Sequence, residues 1–454
     1  MEPKNKKVAS MIKKISYRDS IFWIGLSSAT YLAVLPMSGT IALRSLTLLI
    51  ALVALAWHFF KIRSFPQLPV PVLIWAAYLL VFPLISQDSA VAWESLGKQW
   101  GMGLLAMACG AGAAQLLVPY RIGSALQLGF LSCITILIHL CILAFQSWEA
   151  SALVQGWGRE THHADLGYAA GQAVILLCAS LVASKKSSKF TAILLILACL
   201  ASTVLARSRG GFAFSVFGII LVFVVAYWSQ REVRKKQTLM LFGGLLFVSM
   251  IVFGIATKTD SRWSNMKSSM TSGLLGNALQ VQCFGTASVE QEIVEKYGTG
   301  KESERIIQSV NNGDGSRVIL FRSGLELALK NPWGIDGSRQ AYKKLLRQEC
   351  SDPVIDMAHA HNGWIDTALA IGLIGAGLYL IVLTNFAKVG FGNIRNGSGS
   401  INIWGVVLFS LSVFWIIRAF FDSTIRDHMF EMQGFVIAYA YTYFIASQNL
   451  NSPQ

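Results

Sequence analysis

The chain has 454 residues, of which 54% are hydrophobic and only 14% charged, and its mean hydropathy is +0.52. Ordinary soluble domains carry about 25% charged residues, so this balance excludes a soluble protein and points to an integral membrane protein. The formal net charge of +14 follows largely from lysines and arginines in short loops on one side of the membrane, and calls for no nucleic-acid partner.

About 20 consecutive apolar residues cross a bilayer core. Twelve windows qualify: 20–37, 41–60, 69–86, 100–118, 125–147, 167–184, 190–206, 211–228, 238–257, 364–387, 401–421 and 428–447. The basic stretch MEPKNKKVASMIKKISYRDS precedes the first, and no small-residue cleavage site follows it, so the first helix is expected to be retained with the amino terminus inside. Arg44 falls in the first turn of the second window and can snorkel to the surface. Lys61 and Arg63, Arg121, the lysines at 185, 186 and 189, the basic run at 231–236, and Lys388 with Arg395 then fall on one side, the cytoplasmic one. Both termini are expected there. The predicted architecture is an all-α polytopic membrane protein, with nine transmembrane helices in 1–257, a large helical periplasmic loop at 258–363, and three more helices in 364–454.

Within the loop, EKYGTGKESERIIQSVNNGDGS is rich in glycine and charge and is expected to be poorly structured. Order returns with DGSRVILFRSGLELALKNPWG, whose apolar positions predict a helix capped by Asp314 or Ser316, stopped by NPWG, and carrying Arg317 in its first turn. A second helix is expected in SRQAYKKLLRQECS. Cys283 and Cys350 share the loop. An oxidising compartment allows them to pair, and spacing leaves a disulfide and two free thiols equally open. No metal-ligand spacing such as CxxC occurs.

Some charges stand where the topology rule does not ask for them. Arg207 and Arg209, in LARSRGGF, lie on the outer side, and Gly210 and Gly211 after them permit close approach of another backbone or a ligand. A guanidinium fork suits phosphate oxygens. In RAFFDSTIRD, Arg418, Asp422 and Arg426 lie near the same plane, where ions pair or line a wet cavity; for Arg418, a helix-pinning pair with Asp422 is expected. His359 and His361 open the tenth window on this same side. An imidazole titrates near neutrality and can accept a proton from a sugar hydroxyl, which makes His361 a candidate base. Gly372, Gly375 and Gly377, further along, are expected to be helix-packing positions.

The string His361-Asn362, nine residues, then Gly372-x-x-Gly375-x-Gly377 resembles the signature of the O-antigen ligase family. Arg209 in RSRGG resembles the family's arginine at the outer end of a membrane helix, Arg317 the arginine opening the loop helix, and Asp422 in FFDSTIR the family's acid. The resemblance covers roughly the second half of the chain; the first six helices match in hydropathy alone. It implies a GT-C-like fold and a glycosyltransferase of the bacterial inner membrane that needs neither metal nor cofactor. Such an enzyme moves a preassembled glycan from undecaprenyl diphosphate to a sugar of the lipid A core at the periplasmic face. In that reading His361, Arg209 and Arg317 are catalytic. Arg207, His359, Asn362, Asp422 and Arg426 bind substrate. The partners are the lipid-linked glycan donor, the lipid A-core acceptor and membrane lipid, with no nucleic acid. O-antigen polymerases and protein O-oligosaccharyltransferases share the donor class and differ in acceptor. A secondary transporter also fits twelve helices, but predicts half-chain repeats and interrupted helices with charges near the midplane.

Overall fold

A computed structural model describes residues 21–37, 39–62, 66–120, 122–156, 163–183, 186–229, 232–260, 262–263, 266–312, 314–395, 402–425 and 427–451. All twelve expected segments are helical. They are α1 (Ile21–Val34), α2 (Ile41–Ile62), α3 (Val70–Ile85), α5 (Gly101–Leu117), α6 (Ala125–Ala150), α7 (His163–Ala183), α8 (Lys186–Leu205), α9 (Arg209–Ser229), α10 (Glu232–Thr259), α17 (Gly363–Arg395), α18 (Ile403–Arg418) and α19 (Asp427–Asn451). A short helix α4 (Ser89–Ser95) and a wide turn, Leu96–Trp100, lead into α5. Among the described residues there is no strand. The chain is an all-helical, polytopic membrane protein.

Small residues let the helices approach. Any β-carbon on Gly103 would lie 1.8 Å from the Phe430 ring, and one on Gly110 2.1 Å from the Phe435 carbonyl, so α5 and α19 are locked together. Gly167 and Gly211 do the same for α7 and α9, where a β-carbon on Gly211 would stand 2.6 Å from the Gly167 α-carbon. That crossing fixes the first turn of α9, which carries Arg209.

The long connection between α10 and α17 is a helical cap: α11 (Met266–Ser272), α12 (Ala278–Phe284), α13 (Glu290–Tyr297), α14 (Lys301–Asn312), α15 (Asp314–Lys330) and α16 (Ala341–Glu349). Its middle is a correction to the sequence reading. The stretch expected to be poorly structured forms α13 and α14, because Ile293, Ile306 and Val310 pack with Val281, Val289 and Ile319 into a small core of their own. The charges of KESER occupy the other side of α14, and the Ser303 hydroxyl accepts the Gly300 amide before it. The helices expected at 314–330 and after Ser338 are present as α15 and α16. Cys283 and Cys350 form a disulfide across 67 residues and tie the end of α12 to the end of α16.

α17 is not continuous. Ile371 (φ −118°, ψ 16°) and Gly372 (φ 80°, ψ 165°) interrupt it, and the NPWGIDG segment after α15 fills the gap. Backbone amides of Ile335 and Gly337 donate to the Leu369 and Ala370 carbonyls (3.1 and 2.9 Å), and the Leu373 amide donates to Pro332 (2.8 Å). The Tyr78 hydroxyl takes the Ile371 carbonyl at 2.6 Å. Irregular backbone is tolerated at membrane depth when protein satisfies it in this way. The expectation of helix packing holds at Gly375 and is corrected at Gly372 and Gly377. Gly372 supplies a left-handed conformation at the break, Gly375 makes the close contact with Tyr78 of α3, and a β-carbon on Gly377 would meet nothing within 4 Å.

Candidate functional site

The site is assembled where the start of α17, the turn after α18 and the start of α9 meet, at the end of the bundle that carries the cap. Asn362 caps α17: its Oδ1 accepts the Ile365 amide (3.0 Å) and its Nδ2 donates to the Phe420 carbonyl (2.9 Å). With the residue buried and both ends of its amide engaged by backbone, Asn362 holds two loops together. The Gly363 amide is shared between the Ala419 and Asp422 carbonyls at 2.7 and 2.9 Å. Asp366, one turn on, accepts the Ala360 amide at 2.8 Å and the Ser423 hydroxyl. These bonds fix the 359–361 loop against the 419–425 turn.

His361 sits in this frame with φ +53°, a left-handed conformation that costs roughly 1–2 kcal/mol outside glycine. Backbone strain of this kind is held at sites where surrounding bonds over-determine it. His361 Nδ1 faces Asp422 Oδ1 at 3.6 Å, and the His359 ring lies 4.2 Å from the His361 ring, centroid to centroid. The other Asp422 oxygen faces Arg418 Nη2, also at 3.6 Å. The Arg418 guanidinium is buried between the Tyr168 and Phe214 rings, 4.8 and 4.5 Å from their centroids. Burial alone would raise the Asp422 pKa, but His361, Arg418 and Tyr168 together hold it well below the ordinary carboxylate range. The carboxylate therefore stays charged and can stabilise a protonated His361.

Arg418 also reaches the arginine side of the site. A β-carbon on Gly210 would stand 2.7 Å from Arg418 Nη1, so the guanidinium lies against the backbone next to Arg209. The Arg209 fork grips Asp314 of α15 through two bonds of 2.8 and 2.6 Å and donates as well to the Arg262 carbonyl at 3.0 Å. Arg209 thus clamps the cap onto α9 through an ion pair, where the sequence suggests a fork for phosphate oxygens. Arg207, with φ +53°, donates from Nε to Gln155 (3.1 Å) and accepts Arg262 at its carbonyl. Burial raises and the Arg262 bonds lower the Asp260 pKa, with a net fall. Arg317, three residues after Asp314 and so on a neighbouring position of α15, is exposed.

His361, His359, Asp422 and Arg418 therefore form one cluster, Arg209, Arg207 and Arg317 border a second, and the two adjoin at Gly210. Arg426 lies outside the described residues. Sequence reasoning missed Asp366, Tyr168 and the His428–Asp165 pair, 3.4 Å apart. The i, i+3 spacing of Asp165 and Tyr168 at the start of α7 was the available signal. It also missed Asp314 as the partner of Arg209. Among the described residues no group of three His, Cys, Asp or Glu side chains is placed to hold a metal ion.

The fold and the site together define a multi-pass helical membrane protein with an imidazole–carboxylate–guanidinium cluster at one end of the bundle. Residues 192–380 match the family model described as O-antigen ligase. The match holds Arg209, Arg317, His359, His361 and Asn362; Arg418 and Asp422 lie beyond it. A search of curated proteins found no match.

Proposed function

We propose that the protein is an O-antigen ligase that transfers a preassembled glycan from undecaprenyl diphosphate to a sugar hydroxyl of lipid A-core, at the periplasmic face of the bacterial inner membrane and without a metal ion. The observation that carries this reading is the contact series His361–Asp422–Arg418–Gly210, which joins a candidate base to the arginine-bearing start of α9. Asp422 faces Nδ1, and so favours the tautomer with the proton there, leaving Nε2 to take the acceptor's proton. The acceptor oxygen bonds to the anomeric carbon as the bond from that carbon to the diphosphate oxygen breaks, which inverts the configuration. The proton passes to His361, and the electron pair leaves on the diphosphate, against guanidinium charge. Arg317, exposed, meets the diphosphate first; Arg209 engages it by sharing its fork with Asp314.

Purified protein in nanodiscs, given the lipid-linked glycan and lipid A-core, should form capped core in the presence of a chelator. Loss of a general base costs roughly 10²–10⁴ in rate, so His361→Ala should fall by that factor while remaining monodisperse. Full activity of His361→Ala, or loss with the chelator, would remove the mechanism. A polymerase would instead lengthen the lipid-linked glycan and leave the core uncapped.

A further inference from the structure

One face of α15 is left exposed by the described residues. Gly315, Ser316, Ile319, Leu320, Ser323, Gly324, Leu327 and Ala328 are buried. On the opposite face Phe321, Leu325 and Leu329 recur every fourth residue, 40, 44 and 65% exposed, and Trp333 in the following turn is 66% exposed. Arg317 heads this row, one turn before Phe321.

The depth of the row follows from its neighbours. A β-carbon on Gly324 would meet Ala360 and Ile365, at the start of α17, whereas Gly334 and Trp333 lie against Gly372 at the break. α15 therefore descends beside the first turns of α17. From 365 to 372 is seven residues, or about 10 Å of helix. Two apolar helices calibrate that level independently. The Gly363 amide is bonded to Ala419, at the cap end of α18. Tyr78, which holds Ile371, lies seven residues, again about 10 Å, below the end of α3 at Ile85. The break and the turn packed into it thus lie about 10 Å below the ends of two membrane helices, within a hydrocarbon core roughly 30 Å thick. Leu84 and Leu80 of α3 are 71 and 58% exposed at the same levels, so the row continues a lipid-facing belt.

We propose that the second half of α15 and its NPWG turn are inserted in the bilayer leaflet on the cap side, with Phe321, Leu325, Leu329 and Trp333 in contact with lipid chains and Arg317 at the level of the lipid phosphates. The occupant of this face is the bilayer itself. The inference rests on packing and exposure and does not require the proposed transfer reaction; where that reaction holds, the row also sets Arg317 at the plane in which a lipid-linked diphosphate presents its charge.

The test is site-directed spin labelling in phosphatidylcholine–phosphatidylglycerol nanodiscs, one label at a time, on Phe321→Cys, Leu325→Cys, Leu329→Cys and Trp333→Cys. Cys141, an exposed cysteine of α6, is replaced by Ser, and Glu302→Cys on α14 serves as the aqueous control. Collision with oxygen should rise, and collision with a water-soluble nickel complex should fall, from Phe321 to Leu329. Those two are separated by about 12 Å of helix. Nickel collisions at Leu329 and Trp333 as frequent as at Glu302 would overturn the proposal. So would loss of both collisions, which would mean that a protein surface or a second copy covers the row. The three leucine and phenylalanine positions keep the test intact should Trp333→Cys fail to fold.

Discussion

Asp422→Asn is the sharpest test of how the site holds its charge. Asp422 stands 3.6 Å from both His361 and Arg418, and at an effective dielectric near 20 one such contact amounts to at most about 4–5 kcal/mol. Removing the carboxylate takes the counter-charge from a buried guanidinium that lies between two rings and against the Gly210 backbone. Breaking a buried pair from one side costs roughly 3–5 kcal/mol, and replacing both partners by apolar side chains is often neutral. Asp422→Asn should therefore unfold some 3 kcal/mol more easily, and Arg418→Met in the same chain should recover most of that loss. Transfer activity should stay low in both, because His361 lacks its counter-charge. The pH dependence has a fixed sign. A carboxylate with a depressed folded pKa stabilises fully above its unfolded value, about 3.9, and loses that contribution as pH falls toward the folded value. The wild-type protein should lose stability below about pH 4, and Asp422→Asn should show a shallower loss there. Thermal unfolding in nanodiscs across pH, read alongside glycan transfer, measures both. A double variant as unstable as Asp422→Asn alone would refute the argument, because the cost would not then come from the stranded guanidinium.

Three further outcomes follow from the geometry. Gly372→Ala places a side chain at φ +80° and 2.7 Å from the Trp333 carbonyl, so it should destabilise by about 2 kcal/mol or more, whereas Gly377→Ala, facing open space, should be neutral or stabilising by up to about 1 kcal/mol; thermal unfolding of the pair distinguishes them. Asp314→Asn weakens the grip on Arg209 and should make the cap more sensitive to limited proteolysis while lowering the apparent KM for the lipid-linked donor; an unchanged KM would argue that the Arg209 fork never leaves Asp314. Opening the Cys283–Cys350 bridge, which closes a loop of 67 residues, should cost up to roughly 4 kcal/mol, seen as a downward shift in the unfolding of the cap under reductant.

Sequence was most informative where one physical term dominates. Hydropathy alone located the membrane helices, because apolar runs are what lipid demands, and the apolar spacing in VILFRSGLELAL located α15. It was least informative where a local signal was outvoted by tertiary contact. The charges of KESERIIQSVNN mask the spacing of Ile306 and Val310, whose partners lie in α12, α13 and α15. Gly372 reads as one more small residue in a membrane helix until the NPWG turn, some 40 positions earlier, is found bonded to the break. An interrupted helix was expected of a transporter, but this interruption is closed by the protein's own cap and carries no charge at Ile371 or Gly372. For Arg209, the sequence showed a charge without a topological reason and could not show Asp314, 105 residues away.

The division between the family segment and the rest of the chain clarifies what builds the site. Residues 192–380 contain the candidate base and the candidate diphosphate arginines, yet none of the contacts described at His361 reaches Arg209 within that segment. The link passes through Arg418 and Asp422, on α18 and the turn after it. For that link to form, the first turn of α9 must carry a residue small enough to let a guanidinium lie on its backbone, and Gly210 is that residue. The turn after α18 must also be held against the start of α17, which Asn362, Gly363 and Asp366 accomplish through the Phe420 and Asp422 carbonyls and the Ser423 hydroxyl. Asn362, adjacent to His361 in the motif, thus shapes the site from beneath. Asn362→Asp, which keeps the acceptor for Ile365 but loses the donor to Phe420, should loosen the 419–425 turn and lower activity while leaving α17 capped; an unaltered transfer rate would show that the two loops need no tie at this point.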